Sequence, residues 1–373
     1  MLAELIVTIF LGGLAFFGGM RVGRLLVRRG ATANDLFKGK DWASLAFLGL
    51  YLAMLVLVAS LSQLQGLPLE WRVYGMRITW TTMQIMLMGF CGLALVVSWR
   101  TARIQVVAIV LLGLLGFAAF HRAEGYFLAP IAASLEDKLL PNGVFRQTSD
   151  SSCAPSALAT VLRLWGVNAT ESSVAQLAGT SRLGTSMPQL VTALQKMGLA
   201  GVELSPTWAQ MQQINRPGVL ATWLDLRDGS KAPHAVGLLA MDNQTATIAD
   251  PDSGRIFRLP KAEFDRIWRK QYVAVLRPTD LMLPSTQVAD YLHRLGFLGR
   301  STHISTSDLE TAIRKFQATV GILTTGKLNP TTELLLSGKF LVDVPTLDRP
   351  IITFPGVELG TGAAGMGKIR WQD

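Results

Sequence analysis

Four long apolar segments occupy the first third of the chain and constrain its fold more than any other feature. Each approaches the roughly 17–25 residues that a helix needs to cross a bilayer, because flanking residues extend it into the interface. The mean hydropathy of +0.34, with half of all residues (50%) apolar, is too high for a chain that is soluble throughout. The pattern predicts a four-helix transmembrane region within residues 1–122, with helices at about 5–23, 42–62, 78–99 and 104–121.

The loops between these segments set their orientation. Loops rich in Lys and Arg stay in the cytoplasm, and positive charge concentrates after the first segment and before the fourth, at Arg21, Arg24, Arg28, Arg29, Lys38, Lys40, Arg100 and Arg103. The second and fourth segments then run outward, and everything after residue 122 is predicted to lie outside the cytoplasm. Membrane topology thus explains the net charge of +9, and we expect no nucleic acid partner.

A polar segment that runs into a helix carries the candidate nucleophile. Ser151 or Ser152 can serve as N-cap, and Pro155 falls in the first turn, where its missing N–H costs no hydrogen bond. Cys153 therefore lies at a helix N-terminus, where the helix dipole and unpaired N–H groups favour a thiolate and can bind an oxyanion. The other cysteine, Cys91, lies in an apolar run. We predict that it faces lipid or fills a helix contact, and that the chain has no disulfide.

The order of the elements that follow a connector at 123–142 indicates an α+β domain over residues 143–279. Helices come first and strands after them, with one short helix near residues 261–268 between the strands. The predicted helices are 157–165, 171–177 and 188–197, and the predicted strands are 219–226, 234–241, 245–249 and 272–276.

One hairpin of this domain supplies a candidate base. If it turns about Asp242 or Asn243, His234 comes to face position 250 or 251, and His234 and Asp250 become neighbours across the ladder to within about one residue. The result is a Cys–His–Asp set in chain order, with the nucleophile on a helix and the base on a hairpin. Asp252 and Asp242 remain alternatives to Asp250 as the residue that orients the base.

Several short motifs in this region are shared with one family. They are Gln147, Cys153-Ala154-Pro155, Gly184-Thr185-Ser186, Pro217-Gly218, His234-Ala235-Val236 and Asp250-Pro251. Over about residues 145–278 the chain resembles the bacteriocin-processing cysteine peptidases that remove double-glycine leaders, a papain-like group. The best-known members lie on the cytoplasmic side and are fused to an ATP-driven exporter, whereas this domain is predicted outside the cytoplasm.

The resemblance implies a role for each of four side chains. Cys153 would be the nucleophile and His234 the general base and acid. Asp250 would hold the imidazole, and the Gln147 amide would complete an oxyanion hole with the Cys153 N–H.

A second pattern covers residues 284–338 and predicts three short helices around Leu, Ile and Phe. Asn329 as N-cap with Pro330 at the first helical position begins the third helix. Phe316-Gln317 and the run from Thr325-Gly326 to Thr331 resemble the peptidoglycan-binding-like domain. Most of these residues form core and turns, and so a docking module that does not bind glycan remains an alternative.

The tail, residues 339–373, contains two glycine-rich motifs between 360 and 368 that match nucleotide-binding patterns in part. Neither lies in a βαβ unit, and Ile369 stands where a phosphate loop needs Ser or Thr. We therefore predict a flexible or hairpin tail, with no nucleotide and no other cofactor. The remaining histidines lack partners at ligand spacing, so we expect no metal; they are His121, His293 and His303.

These features together predict a multi-pass cysteine peptidase of the bacterial inner membrane, with its catalytic and C-terminal domains in the periplasm. Its partners would be a peptide or protein substrate, peptidoglycan and the lipid bilayer. Two alternatives fit the same architecture. One is a peptidoglycan amide hydrolase with the same triad, and the other is a non-enzymatic scaffold that anchors an envelope assembly or secretion system to the wall.

Overall fold

The chain forms two compact units, Met1–Ala129 and Pro130–Asp373. The computed structural model describes residues 2–32, 67–226, 229–299 and 304–349, together with isolated positions between 46 and 60. The predicted span at 42–62 therefore lies mostly outside the described residues.

Helices long and apolar enough to cross a membrane make up most of the N-terminal unit. Within its described residues there are three of them, at Ile6–Arg28, Gly75–Thr101 and Ile104–Phe127, where four were predicted. The helices of this unit are α1 (Leu2–Arg28), α2 (Leu69–Val73), α3 (Gly75–Thr101) and α4 (Ile104–Phe127). The last of these continues past its predicted end at residue 121, because no proline interrupts it before Pro130.

Glycines allow two of these helices to pack closely. A Cβ atom at Gly19 of α1 would clash with the Gly89 carbonyl of α3, and such small residues let helix backbones approach each other in lipid. On the other side of α3, a Cβ atom at Gly113 of α4 would lie 3.1 Å from the Cys91 sulfur. Cys91 therefore fills a helix contact, which is one of the two roles predicted for it.

A six-stranded antiparallel sheet forms the centre of the C-terminal unit, in the order β3-β8-β4-β5-β6-β7. Its strands are β3 (Ala200–Leu204), β4 (Gly218–Asp225), β5 (Lys231–Met241), β6 (Thr245–Asp250), β7 (Arg255–Pro260) and β8 (Trp268–Leu276). The helices around it are α5 (Cys153–Leu164), α6 (Glu171–Ala178), α7 (Met187–Lys196), α8 (Trp208–Ile214) and α9 (Lys261–Ile267). The predicted α+β order is present, and the sequence reading missed β3, β7 and α8. Both missed strands lie at sheet edges, where one side of the backbone needs no partner strand and the apolar signal is weak.

The two faces of the sheet have different coverings. A Cβ atom at Gly237 in β5 would lie 3.1 Å from the side chain of Val161, so this face packs against α5. Alternate residues of a strand face opposite sides, and Val236 and Leu238 accordingly belong to a second apolar cluster that includes residues of α8 and α9. The sheet is thus the middle layer of three.

The C-terminal module completes the third layer rather than standing apart from it. Its helices are α10 (Ser285–Arg294), α11 (Thr306–Thr319) and α12 (Pro330–Ser337). As predicted, Asn329 caps the third helix, accepting a hydrogen bond from the Thr332 N–H at 2.8 Å, with Pro330 at the first helical position. Phe316 and Leu334 are buried in the same apolar cluster as the sheet residues. The catalytic domain and the module therefore share one hydrophobic core.

A buried arginine lies where this module meets the catalytic domain. The side chain of Arg216 is 0% exposed, donates to the Ser337 hydroxyl at 3.3 Å and lies 3.4 Å from the Asp280 carboxylate. Burial lowers the pKa of Arg216, and Asp280 opposes that shift by stabilising the charged form. The Gln213 side chain adds a hydrogen bond to the Leu335 carbonyl at 3.0 Å. These polar contacts thus fix the position of the module against the catalytic domain.

The connector and the first part of the tail both pack against the catalytic domain. In the connector, the Ile131 N–H donates to the Thr180 carbonyl at 3.1 Å, and β1 (Lys138–Leu139) pairs with β2 (Phe145–Arg146). In the tail, Leu347 is 2% exposed and accepts a hydrogen bond from the Met241 N–H at 3.0 Å. Residues 339–349 are therefore part of the folded unit, and the glycine motifs at 360–368, for which a flexible or hairpin tail was predicted, lie outside the described residues.

Candidate active site

Cys153 is the first residue of α5, as the polar segment before it predicts. Ser152 is the N-cap residue, but its hydroxyl donates to the Ser149 carbonyl at 2.8 Å and makes no capping bond to the helix. The following residues, from Ala154 onward, are buried against the sheet. The thiol is therefore held by a rigid helix whose first turn is free of a side-chain cap, which leaves N–H groups available for an anion.

His234 and Asp250 form a buried hydrogen-bonded pair. His234 Nε2 lies 2.7 Å from Asp250 Oδ1, with the His234 side chain 5% exposed and the Asp250 side chain 0%. This leaves Nδ1 as the ring nitrogen for the Cys153 thiol, which contributes a hydrogen bond and a coulombic interaction to the ring. The three side chains are thus brought together in the order Cys, His, Asp.

The strand register differs from the predicted one. Gly237 pairs with Ala249, and the register shifts between Leu238 and Ala240, so continuing it places Asp252 rather than position 250 or 251 opposite His234. His234 lies beyond the last β5–β6 pair and reaches Asp250 diagonally. The turn spans Asp242 to Thr245, where the Asp242 N–H donates to the Thr245 carbonyl, and so lies further along the chain than the predicted turn. The bulge in β5 partly offsets this difference, because the pairing next to the turn would otherwise place Ser253 opposite His234.

The two alternative aspartates have other contacts: Asp242 binds the hairpin turn, and Asp252 binds Asp250 through its backbone. Asp242 accepts hydrogen bonds from the Gln244 and Thr245 N–H groups in the hairpin turn and pairs with Arg258. Asp252 contributes its own N–H to Asp250 Oδ1 at 3.1 Å. Asp250 is therefore the carboxylate that contacts the His234 ring.

Opposing effects set the charge state of the His234–Asp250 pair. Burial alone would lower the pKa of His234, but the hydrogen bonds to Asp250 and Cys153 outweigh it and raise this pKa from 6.5 to about 10. Burial would raise the pKa of Asp250, yet the bonds from His234 and Ser253 leave it below its usual value. Because the pKa of His234 is raised in the folded state, protonation of His234 increases the free energy of unfolding. This contribution is complete below about pH 6.5 and is lost as the pH rises through about 10.

Ser253 is a site residue that the sequence reading missed. Its hydroxyl donates to Asp250 Oδ2 at 2.6 Å, and its N–H donates to the same oxygen at 3.2 Å. The Asp250 carboxylate is therefore saturated on the side away from the ring. The signal was present in the turn-forming run Asp250-Pro251-Asp252-Ser253-Gly254, where an aspartate commonly accepts bonds from the residues that follow it.

Gln147 lies between the cysteine segment and the Asp250 turn. Its backbone N–H donates to the Pro251 carbonyl at 2.8 Å. Its side-chain Oε1 is buried and has no hydrogen-bond partner among the described residues. An amide oxygen can only accept, so this unpaired atom would meet a donor, whereas the oxyanion role predicted for Gln147 would need its side-chain NH₂ group.

The arrangement can perform acyl transfer without a cofactor. A thiol on a helix N-terminus, an imidazole on a strand and a buried carboxylate provide a nucleophile, a proton carrier and its orienting group. Among the described residues there is no group of three or more His, Cys, Asp or Glu side chains that could hold a metal ion.

The comparison with protein families identifies both C-terminal regions. Residues 142–280 match the model described as Peptidase C39 family, which places this region among the cysteine peptidases. Residues 286–336 match a peptidoglycan binding domain family. The chain belongs to the Peptidase C39 family, and both resemblances recognised in the sequence are confirmed.

Relatives of this chain occur in two Methanothermobacter organisms. An uncharacterized protein of Methanothermobacter thermautotrophicus is 34% identical over 152 residues, which are 40% of this chain and 96% of the relative. A second, from Methanothermobacter marburgensis, is 35% identical over 139 residues, 37% of this chain and 90% of the relative. This chain thus spans nearly the whole length of both.

Solved structures similar to this chain include two peptidase domains of transporters. The peptidase domain of Streptococcus ComA, a bi-functional ABC transporter of a quorum sensing pathway, is 20% identical with a TM-score of 0.33, covering 36% of this chain and 98% of that one. A double glycine motif protease from an AMS/PCAT transporter, in complex with the leader peptide, is 22% identical with a TM-score of 0.31, covering 36% and 90%.

Proposed function

We propose that this chain is a membrane-anchored cysteine peptidase that cleaves a peptide or protein substrate on the outer, periplasmic side of the inner membrane while its C-terminal module holds peptidoglycan. One observation carries the proposal: the buried His234–Asp250 pair, with Cys153 on the other side of the ring at a helix N-terminus. The family match to cysteine peptidases supports the same chemistry.

In the proposed mechanism, Cys153 and His234 act as a thiolate–imidazolium pair. The Cys153 sulfur attacks the scissile carbonyl carbon, and the Gln147 amide and the Cys153 N–H stabilise the resulting oxyanion. The His234 imidazolium gives its proton to the leaving amine as the C–N bond breaks, which leaves a thioester. His234 then takes a proton from water, and the hydroxide formed attacks the thioester carbonyl to release the acid and the Cys153 thiolate, which restores the ion pair. Asp250 keeps the ring oriented throughout.

Thiol reactivity at acidic pH tests the ion pair. Iodoacetamide should alkylate Cys153 rapidly at about pH 6, where an ordinary thiol, with a pKa of about 8.5, is almost wholly protonated. His234→Ala should slow this alkylation by about 10-fold or more, because the helix dipole alone supplies only part of the stabilisation. The rate is read by mass spectrometry of the full chain in detergent. A Cys153 that reacts only above about pH 8 and is indifferent to His234 would favour the scaffold.

The membrane topology gives a second prediction. We propose that the basic loop at residues 21–40 is cytoplasmic and that the catalytic domain is external, as the charge distribution indicates. An alkaline phosphatase reporter fused after Asn142 should therefore be active, and one fused after Lys40 inactive. The opposite pattern would reverse the orientation and favour processing of a cytoplasmic substrate.

A second candidate function is hydrolysis of an amide bond in peptidoglycan itself. The shared core of the catalytic domain and the module favours it, because a ligand on the module would be presented to a site at a fixed distance. The full chain in detergent, beside Cys153→Ala, should be incubated with envelope peptides and with intact peptidoglycan. Thiol-dependent cleavage of the peptides supports the peptidase and soluble muropeptide release the amide hydrolase. Binding to peptidoglycan without either reaction supports a scaffold.

A further inference from the structure

A fully buried carboxylate contacts the residue next to Gln147, whose amide is the proposed oxyanion donor. Glu171, the first residue of α6, is 0% exposed. Its Oε1 accepts the Thr148 N–H and its Oε2 accepts the Thr148 hydroxyl, each at 2.8 Å. Within the described residues it has no ion-pair partner. Both carboxylate oxygens are therefore committed to a single residue of another segment.

Thr148, which Glu171 holds through two hydrogen bonds, is the neighbour of Gln147 in the chain. The Thr148 N–H belongs to the peptide unit that contains the Gln147 Cα atom, and a peptide unit is planar. Fixing that N–H therefore fixes the position and tilt of the Gln147 Cα atom. On its other side, Gln147 is held by its own N–H bond to the Pro251 carbonyl. The backbone of Gln147 is thus clamped from α6 and from the Asp250 turn.

The connector strengthens this clamp. The Glu136 N–H donates to the Thr148 hydroxyl at 3.1 Å, and the hydroxyl in turn donates to Glu171. A hydroxyl that accepts and donates at once cannot rotate freely. The segment that leads to Cys153 is therefore fixed in position at Thr148.

Glu171 lies in the first turn of α6, where the helix dipole favours an acidic side chain. That effect does not require a contact with Thr148, whereas both carboxylate oxygens accept hydrogen bonds from that residue. This geometry suits the placement of the neighbouring Gln147. We propose that Glu171 is a positioning residue that sets the Gln147 amide in the oxyanion hole, an inference that rests on the proposed function.

Two thiol reagents separate this role from a general structural one. With p-nitrophenyl acetate, the Cys153 sulfur attacks the ester carbonyl, an oxyanion forms, and p-nitrophenolate leaves with its bonding electrons to give a thioester. With iodoacetamide, the sulfur displaces iodide from a CH₂ carbon, and no oxyanion forms. The ratio of the two rates therefore reports the oxyanion hole and needs no natural substrate.

The experiment uses the full chain in detergent with Cys91→Ala, so that Cys153 is the sole thiol. Glu171→Gln presents an NH₂ group to one of the two Thr148 donors. It should slow acetylation by about 10-fold and leave alkylation within about 2-fold of its starting rate. Thr148→Val keeps the N–H and loses only the hydroxyl, and it should slow acetylation by about 3-fold. Glu310→Gln, at an exposed carboxylate on α11, is the matched control and should change neither rate.

A double-mutant cycle completes the test. Gln147→Ala should slow acetylation by about 10²-fold, and adding Glu171→Gln should slow it no further, because Glu171 acts through Gln147. Equal loss of both reactions in Glu171→Gln and Thr148→Val, or an additive double variant, would overturn the positioning role. If Gln147→Ala leaves the ratio unchanged, it is the proposed oxyanion hole that fails.

Discussion

Replacing His234 with alanine should lower the rate of peptide hydrolysis by about 10⁴-fold or more, with little change in the folded structure. The ring carries the proton in both halves of the proposed reaction, and no other described histidine lies in this site. Combining His234→Ala with Cys153→Ala should cost little beyond either single change, because the two residues act as a unit. The rates are measured with a peptide that the wild-type chain cleaves.

The neighbouring aspartates provide a matched pair for this prediction. Asp250→Asn should slow hydrolysis strongly, because it removes the charge that holds and stabilises the imidazolium. Asp252→Asn changes the same functional group two positions away and should have little effect, since only its backbone N–H contacts Asp250. Equal loss in both variants would mean that the turn, and not the Asp250 carboxylate, determines the rate.

Asp280→Asn should lower the free energy of unfolding of the C-terminal unit by about 3 kcal/mol. The change leaves the Arg216 guanidinium, which is 0% exposed, without its closest counter-charge. Urea denaturation of the full chain measures the loss, and amide hydrogen exchange in α12 localises it to the shared core.

Two further variants decide whether the charge itself is responsible. Asp265→Asn removes an exposed pair with Lys261 and should cost at most about 0.5 kcal/mol. Combining Asp280→Asn with Arg216→Met removes both charges and should recover part of the stability, because no unpaired ion then remains in the core. An Asp280→Asn variant as stable as Asp265→Asn would show that apolar packing alone holds the module.

The helix that carries Cys153 and the hairpin that carries His234 could be predicted because their signals are local. A serine N-cap, an apolar helical spacing and a turn-forming Asp-Asn pair each act within a few residues. The bulge after Leu238 could not be predicted, since either register buries an alternating face and only the packing of the folded sheet selects one. The carboxylate of Glu171 was missed because its partner Thr148 belongs to another segment of the chain.

The shared core was beyond the sequence reading for a similar reason. The sequence gives no local sign of the contacts that Gln213, Asn215 and Arg216 make with the module, because these partners lie more than a hundred residues further along the chain. The sequence predicts a module boundary from the change from strands to short helices. It carried no sign that apolar faces on both sides of that boundary pack into one cluster.

This continuity of the core changes how a wall-bound enzyme would meet its target. With a flexible tether, the catalytic site would explore a sphere around its anchor, and its local concentration at any one bond would fall as the tether lengthened. Here the interface between the catalytic domain and the module is closed by buried contacts such as that of Gly338, where a Cβ atom would clash with the Gln213 carbonyl. The catalytic domain and the module would act as one rigid unit. A glycan strand gripped by the module would expose to Cys153 only those bonds that lie at one distance and one angle from the grip, and geometry would limit the choice of target before side-chain recognition begins.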